Sequence, residues 1–348
     1  MVGCGRIAGR HTEILGSGVI NEARLVSVCD IVESKAQALG RKYNVSFYTD
    51  PITMLDSELG IDLIVILTES GLHAQLVIDL CKYKKHIMVE KPIALTLSDG
   101  EAMVDACRQA GVKLFVVKQN RLNVPVVKLY QAIEQGRFGR IHTASVRVRW
   151  CRDHNYYDQA SWRGTYELDG GVIANQASHH VDLLSSILGP AQSVFAVGKR
   201  ALSNIEAEDT CLAIVRFKND ALGLIEATTA TRPVDLEGSI SVLGERGTAV
   251  IGGFAVNQLL TWNFADGLDN IDEVKDNFSV NPPNVYGYGH QEYYSRVVKY
   301  LHGELTNPPI SDHEALQTLE LICGIYESMH LEQEVHFPVS SYQNKLGR

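Results

Sequence analysis

Lys91 stands in "HIMVEKPIALT", residues 86–96, just after a run of apolar residues. A lysine at the carboxyl end of a parallel strand lies where ligands of open α/β sheets bind. In a partly dry cleft a lysine can take up a proton as a hydride leaves a neighbouring carbon. Pro92 stops the strand behind it. By spacing alone Lys91 is equally a surface lysine at a strand end. A second group lies in "DGGVIANQASHHVDLLSSILG", residues 169–189. Read as one glycine-opened helix, this stretch places Asn175, His179 and Asp182 on one face, with valine and leucine opposite. A polar stripe on an apolar helix needs a partner or a ligand, and a core histidine satisfied by its neighbours is the plainer alternative. A third group opens the chain, "MVGCGRIAGRH". Gly3 permits a tight turn, Gly5 lets backbone approach a pyrophosphate, and Ala8 takes the place of a third glycine. The helix that follows offers free N–H groups to phosphate oxygens. Asp30, 25 residues after Gly5, can accept hydrogen bonds from ribose hydroxyls and repel a 2′-phosphate, which favours NAD over NADP.

These groups need a scaffold, and the hydrophobic pattern supplies one. Strand-like runs at 23–30, 61–68, 85–90 and 112–117 alternate with helix-like segments, the signature of βαβ units and a parallel sheet. Leu63–Leu67 is apolar throughout, as expected of a strand buried on both faces. Only Met1 and Val2 precede the glycine turn, where a doubly wound sheet has its central strand. The expectation is a truncated first strand, a polypeptide that begins several residues upstream, and a gap that Val2 alone cannot fill. A Rossmann-type domain is predicted over 1–120, and a second domain over 121–348. In the second, strands are expected at 141–151, 191–198, 210–217, 221–230, 237–243 and 247–251, and helices at 287–303 and 312–331. Along the first of these strands Val146, Val148 and Trp150 share one face, and Arg147 and Arg149 the other. Residues 264–288, rich in Asp, Asn, Pro and Gly, read as a loop over the site.

Composition excludes several classes of function. The 348 residues carry a net charge of −9, which disfavours nonspecific nucleic-acid binding. The apolar runs are strand-length, too short to span a bilayer, and no signal peptide is seen. Seven scattered cysteines without a CxxC pair suit a reducing cytoplasm better than a disulfide framework or a zinc site, and no metal is expected. Against the acidic background, residues 137–163 hold Arg137, Arg140, Arg147, Arg149, Arg152 and Arg163, opposed locally by Asp153 and Asp158 alone. Such a cluster can meet a diphosphate or a carboxylate through bidentate contacts. Trp150, Tyr156, Tyr157 and Trp162 nearby offer aromatic faces to a base or sugar. A subunit interface or a solvated sheet face is the alternative for Arg147 and Arg149.

"VGCGRIAGRH", "VCD", "LTESGLHAQ", "VEKP" and "GGVIANQASHHVD", taken in order, resemble the Gfo/Idh/MocA family along nearly the whole chain. The resemblance implies an NAD(P)-dependent sugar or polyol oxidoreductase, with a Rossmann domain and an α+β C-terminal domain built on an open mixed sheet. It implies that Gly3, Gly5, Arg6, Ile7, Asp30, Thr68, His73, Glu90 and Lys91 line the cofactor, that Lys91 and His179 are catalytic, and that Asn175 replaces a customary aspartate. An amide raises the basicity of His179 less than a carboxylate would, so Lys91 is the expected base and His179 orients the substrate hydroxyl or relays the proton, with the opposite assignment as the alternative. The segments "KQNR.NVPVVKL", "RVRWCRD..YYDQ..WRGT" and "NPPNVYGYGH" look most like the branch of the family that oxidises C3 of UDP-N-acetylglucosaminuronate in surface-polysaccharide (O-antigen) synthesis. That branch implies 2-oxoglutarate as the acceptor that reoxidises NADH, an aminotransferase consuming the 3-keto sugar, and a homotetramer. It implies substrate contacts from Lys91, Arg152, Tyr157, Arg163, Asn175, His179 and Tyr286. A dehydrogenase of another sugar or inositol is the nearest alternative. A non-catalytic NAD(P)-sensing regulator of the same fold is the alternative from another class, and the presence of both Lys91 and His179 weighs against it.

Overall fold

The computed structural model describes residues 1–279 and 287–348. The chain divides into two compact units, Met1–Val117 with His290–Leu316, and Lys118–Gly289 with Gln317–Arg348. The sequence reading put residues 290–316 in the second domain, whereas the structure groups them with the first. The reason is packing. Tyr293 and Tyr294 are buried; Tyr293 donates its hydroxyl to Val116 O at 2.6 Å, and Tyr300 meets Phe115 edge-on.

In the first unit β1 (Ser27–Cys29), β2 (Ser46–Tyr48), β3 (Leu63–Ile66), β4 (His86–Val89) and β5 (Leu114–Val116) are all parallel to their neighbours. β1 and β5 are buried along their length, and β3 and β4 in all but their first residue, as a sheet covered on both faces requires. The expected gap at the centre is closed, which corrects the reading that Val2 cannot fill it. Val2 bridges Cys29 on one side and Ile66 on the other. Its N–H donates to Val65 O at 2.8 Å and its carbonyl accepts from Leu67 at 2.7 Å. Met1 O accepts from Cys29 N, and Gly3 N donates to Cys29 O, both at 2.8 Å. Three residues suffice because the flanking strands are themselves only three and four residues long. The helices begin and end on local signals. Thr96 caps Leu97–Ala110 by accepting from Asp99 N, and Gly111 ends it at φ 72°.

The second unit is built on an eight-stranded sheet in the order β12-β11-β10-β6-β9-β8-β7-β13. Its strands are β6 (Ile141–Arg149), β7 (Ala191–Lys199), β8 (Thr210–Phe217), β9 (Leu222–Thr228), β10 (Glu237–Gly244), β11 (Gly247–Gly252), β12 (Gln258–Phe264) and β13 (Val335–His336). Only the β6–β9 pair is parallel, so the sheet is mixed. The helix Ser178–Leu188 is buried almost throughout and lies against β6, β9 and β10. Val146, Val148 and Trp150 are buried, as expected. The stretch expected to be a loop contains a helix, Ile271–Phe278, capped by Asn270. Asp and Asn there act as a cap and first-turn acids rather than as loop residues.

Candidate active site

The glycine turn has the shape a dinucleotide requires. Gly3 sits at φ 94°, and a Cβ there would lie 2.8 Å from the Leu67 carbonyl group, so only glycine fits. At Gly5 a Cβ would meet nothing within 4 Å, leaving the backbone open to approach. Arg6 is exposed and Ile7 half-buried. Ile7 is the N-cap of the helix Ala8–Gly16 and supplies no side-chain cap, so the first amides of the helix are not occupied by a capping side chain. Ala8 is fully buried, which lets the helix pack closely. Asp30 follows β1, where its carboxylate accepts from Cys4 N and from Val32 N, each at 2.8 Å. The acid is thereby fixed beside the turn.

Lys91 follows β4 directly, as expected, and is half-buried. The side chain before it belongs to a buried network the sequence did not reveal. Glu90 Oε1 accepts from His11 Nε2 at 3.0 Å and lies 3.5 Å from His290 Nε2. Glu90 Oε2 accepts from Lys91 N at 3.1 Å, and Tyr294 O–H contacts His11 Nδ1 at 2.6 Å. Burial pushes the Glu90 carboxyl up, but its contacts with His11 and His290 outweigh it and hold it well below the usual range. Burial pushes His11 down. A neutral His11 that donates from Nε2 and accepts at Nδ1 satisfies both neighbours. The ligand atoms of His11, Glu90 and His290 lie within 4.8 Å of one another. His73 is likewise buried, with Nδ1 2.9 Å from Pro92 O and Nε2 3.2 Å from Thr68 O. Its ring ties the Thr68 loop to the segment behind Lys91.

In the second unit the expected single helix over 169–189 is broken. Val172–Gln176 forms a π-type turn, and a regular helix starts only at Ser178. The first amides of the turn are held from outside. Val172 N donates to Glu208 O at 2.8 Å, Ile173 N to Glu208 Oε1 at 3.0 Å, and Gly171 N to the Tyr326 hydroxyl at 2.8 Å. Tyr326 in turn donates to Glu208 Oε1 at 2.9 Å. A Cβ at Gly171 would lie 2.2 Å from Glu208 O, so only glycine allows this contact. Burial pushes the Glu208 carboxyl up to about 7.

Asn175 therefore leaves the expected shared face, whereas His179 and Asp182 stay three residues apart on one helix and both engage the segment 118–121. Asn175 donates its Nδ2 to Asp169 Oδ1. His179 is buried, with Nε2 2.9 Å from Gln119 Nε2. Asp182 takes a bidentate pair from Arg121 at 2.7 and 2.8 Å, Lys118 at 3.0 Å and Thr318 at 2.8 Å. Burial pushes Asp182 up, yet Arg121 and Lys118 hold it far below the usual range. The KQNR run, residues 118–121, thus anchors the helix that carries His179. The adjacent His180 lies edge-on to Trp150, and burial pushes its ring down to about 3, which keeps it neutral.

The arginine cluster is largely neutralised by acids distant in sequence, contrary to the expectation of a shared anion site. Arg149 forms a bidentate pair with Glu226 at 2.7 and 2.8 Å and reaches Glu237 at 3.1 Å. Arg147 pairs with the same two acids across the sheet. Arg137 binds Asp266 and Asp269, and Arg140 binds Glu245. What remains is a smaller network around the π turn. Arg152 donates to Gln176 Oε1 at 3.3 Å and to Asp235 at 2.9 Å. Gln176 and Arg163 both donate to the Tyr156 hydroxyl, and Arg163 stacks over Tyr156 and Trp162. Tyr157 lies edge-on to Tyr156 and hydrogen-bonds Thr229 Oγ1 at 3.0 Å; burial pushes its hydroxyl up to about 12. Arg152, Tyr157, Arg163 and Asn175 are thus linked in one network around the π turn, while Tyr286 lies outside the described residues. Gln119, Asp169, Glu208 and His11 were not singled out by the sequence reading. The one legible signal was the KQNR run directly after β5.

The glycine turn, the Asp30 position and the strand-end lysine define a dinucleotide-dependent oxidoreductase, and residues 1–118 match a family described as "Oxidoreductase family, NAD-binding Rossmann fold". Residues 126–250 match the Gfo/Idh/MocA C-terminal domain. The chain belongs to the Gfo/Idh/MocA family and is an NAD-dependent sugar or polyol dehydrogenase. It is similar to the WlbA dehydrogenase from Bordetella pertussis, solved in complex with NADH and UDP-GlcNAcA. The two are 41% identical over 97% of each chain, with a TM-score of 0.91. The WlbA dehydrogenase from Chromobacterium violaceum, also solved with NADH and UDP-GlcNAcA, is 40% identical over 98% of this chain and 95% of that one, with a TM-score of 0.90. A myo-inositol 2-dehydrogenase from Thermotoga maritima is 29% identical over 65% of this chain and 66% of its own length. Among the described residues no helix is long and apolar enough to cross a membrane.

Proposed function

We propose that this chain oxidises C3 of UDP-N-acetylglucosaminuronic acid to the 3-keto sugar. The observation that carries the reading is the likeness, over nearly the full length, to two dehydrogenases solved with that nucleotide sugar and NADH. NAD, when bound, supplies the hydride acceptor. Gly3, Gly5, Arg6, Ile7 and Asp30 hold it, with Thr68 and Lys91 at the nicotinamide end. Lys91 takes the C3 hydroxyl proton, and His179 orients that hydroxyl. Glu90 and His73, whose side chains engage protein partners, serve by fixing the segment on either side of Lys91. Arg152, Tyr157, Arg163, Asn175 and Tyr286 bind the nucleotide sugar. In this reading 2-oxoglutarate accepts the hydride back and leaves as 2-hydroxyglutarate, and the cycle runs in the cytoplasm within surface-polysaccharide (O-antigen) sugar synthesis.

In this reading the first unit holds the cofactor, and the second binds substrate and mediates assembly, as a homotetramer. The outer face of the large sheet supports the last point. Phe195, Ile214 and Leu224 are opposite one another across three strands, Val197 faces Leu212, and all are exposed. The test is product analysis after incubation with NAD and UDP-GlcNAcA. A ketone at C3 supports the reading, whereas turnover of myo-inositol with no reaction of the UDP-sugar overturns it.

A further inference from the structure

Asp169 precedes the Gly170-Gly171 pair and is 2% exposed. Each of its oxygens accepts a hydrogen bond, Oδ2 from Gly164 N at 2.7 Å and Oδ1 from Asn175 Nδ2. That is the pattern of a carboxylate, which accepts at both oxygens. The loop that carries it is closed by Asp169 N and Gly170 N, both donating to Thr165 O. The acid is thus held rigidly, and it dictates the orientation of a neighbouring amide that is only half-buried.

We propose that Asp169 is a positioning residue that locks the Asn175 side chain with its nitrogen inward and its carbonyl oxygen toward the substrate. Position 175 then serves as a neutral acceptor for a hydroxyl or amide N–H of the sugar. Rotating the amide by half a turn would place its oxygen against a carboxylate oxygen, two acceptors without a proton between them. The Gln176 amide, which donates to Asn175 Oδ1 at 3.4 Å, favours the same orientation. The pairing also explains why an amide stands at 175. An aspartate there would put a half-buried carboxylate against the buried Asp169, and the like charges would favour one of the pair staying protonated.

The proposal rests on the sugar-oxidising reading above, and its test separates the two. In Asp169→Asn the amide at 175 is no longer held one way round, and KM for the sugar rises by about 10- to 100-fold, the weight of a charge-assisted hydrogen bond. The change in kcat is smaller, and affinity for NADH is unchanged. Asn175→Asp loses activity as pH rises. The exchanged pair, Asp169→Asn with Asn175→Asp, restores one hydrogen bond between the two positions, now donated from 169 and accepted at 175, leaves an acceptor facing outward and recovers most of the KM. A double variant no better than the worse single variant overturns the proposal. One further measurement needs no substrate. The melting temperature of Asn175→Asp should fall between pH 5 and pH 8 relative to the parent, because the two carboxylates then repel. Wild type that leaves UDP-GlcNAcA unreacted while this fall is observed refutes the function and not the pairing; no fall refutes the pairing.

Discussion

Replacing Glu208 by Gln should make the protein more stable as pH rises, by an amount the structure sets. Glu208 is 5% exposed. Burial raises its carboxyl from the ordinary 4.5 to about 7, against the pull of Ile173 N and the Tyr326 hydroxyl, and the nearby Asp209 adds to the rise. The unfolded chain loses this proton near pH 4.5 and the folded chain only near pH 7. Between those values the folded state holds one proton more, so its stability falls as pH rises. The loss begins near pH 4.5 and is complete above pH 7. A rise from 4.5 to about 7 corresponds to roughly 3 kcal/mol. Gln keeps an acceptor for Ile173 N and Tyr326 and carries no charge, so it escapes the penalty. Urea unfolding of wild type and Glu208→Gln at pH 5 and pH 8 gives four free energies. The variant's advantage should grow by about 2.5 kcal/mol between the two pH values, since a small part of the loss has already occurred at pH 5. A pH-independent difference would refute the reasoning, whatever its sign, because an offset from altered packing cancels in the comparison.

Lys91→Ala should lower kcat by about 10²- to 10⁴-fold, the usual weight of a proton-transfer group, with NADH affinity measured by fluorescence nearly unchanged; unaltered turnover would remove lysine from the mechanism. Asp182→Asn leaves Arg121 and Lys118 buried without their counter-charge and should cost about 3–5 kcal/mol in denaturant unfolding. Because Asp182 is held below its ordinary range, the stability it contributes is present at neutral pH and is lost only as pH falls below the usual carboxylate range. Asp30→Ala removes the acceptor of Cys4 N and Val32 N. Binding titrations should show NADH affinity falling about tenfold and the preference over NADPH narrowing; an unchanged ratio would show that Asp30 does not discriminate.

The parallel sheet, the glycine turn, Asp30 and the strand-end Lys91 were legible because each depends on local sequence. Leu63–Leu67 cannot be other than a buried strand, and Gly3 must be glycine wherever the chain turns that tightly. What local sequence hides is which distant acid meets which base. Arg147 and Arg149 look like an anion site until Glu226 and Glu237 arrive on neighbouring strands. The same holds for the π turn. Residues 169–189 have a helical period, but Glu208 and Tyr326, at sequence separations of 35 and 155 along the two hydrogen bonds, pull its first turn wide. Asn175 was read as a weakened aspartate. The carboxylate sits six residues upstream, and the spacing gave no sign that the two would meet. Val2 was underrated for another reason, since short neighbouring strands need only a short partner.

The most direct test of the account starts from purified protein with no cofactor added. Its reduced-nicotinamide absorbance is recorded, UDP-GlcNAcA is added, and 2-oxoglutarate follows. The account predicts a rise on adding the sugar, from NAD already bound, and its reversal by the keto acid. Bound NAD that stays oxidised in the presence of UDP-GlcNAcA would contradict it.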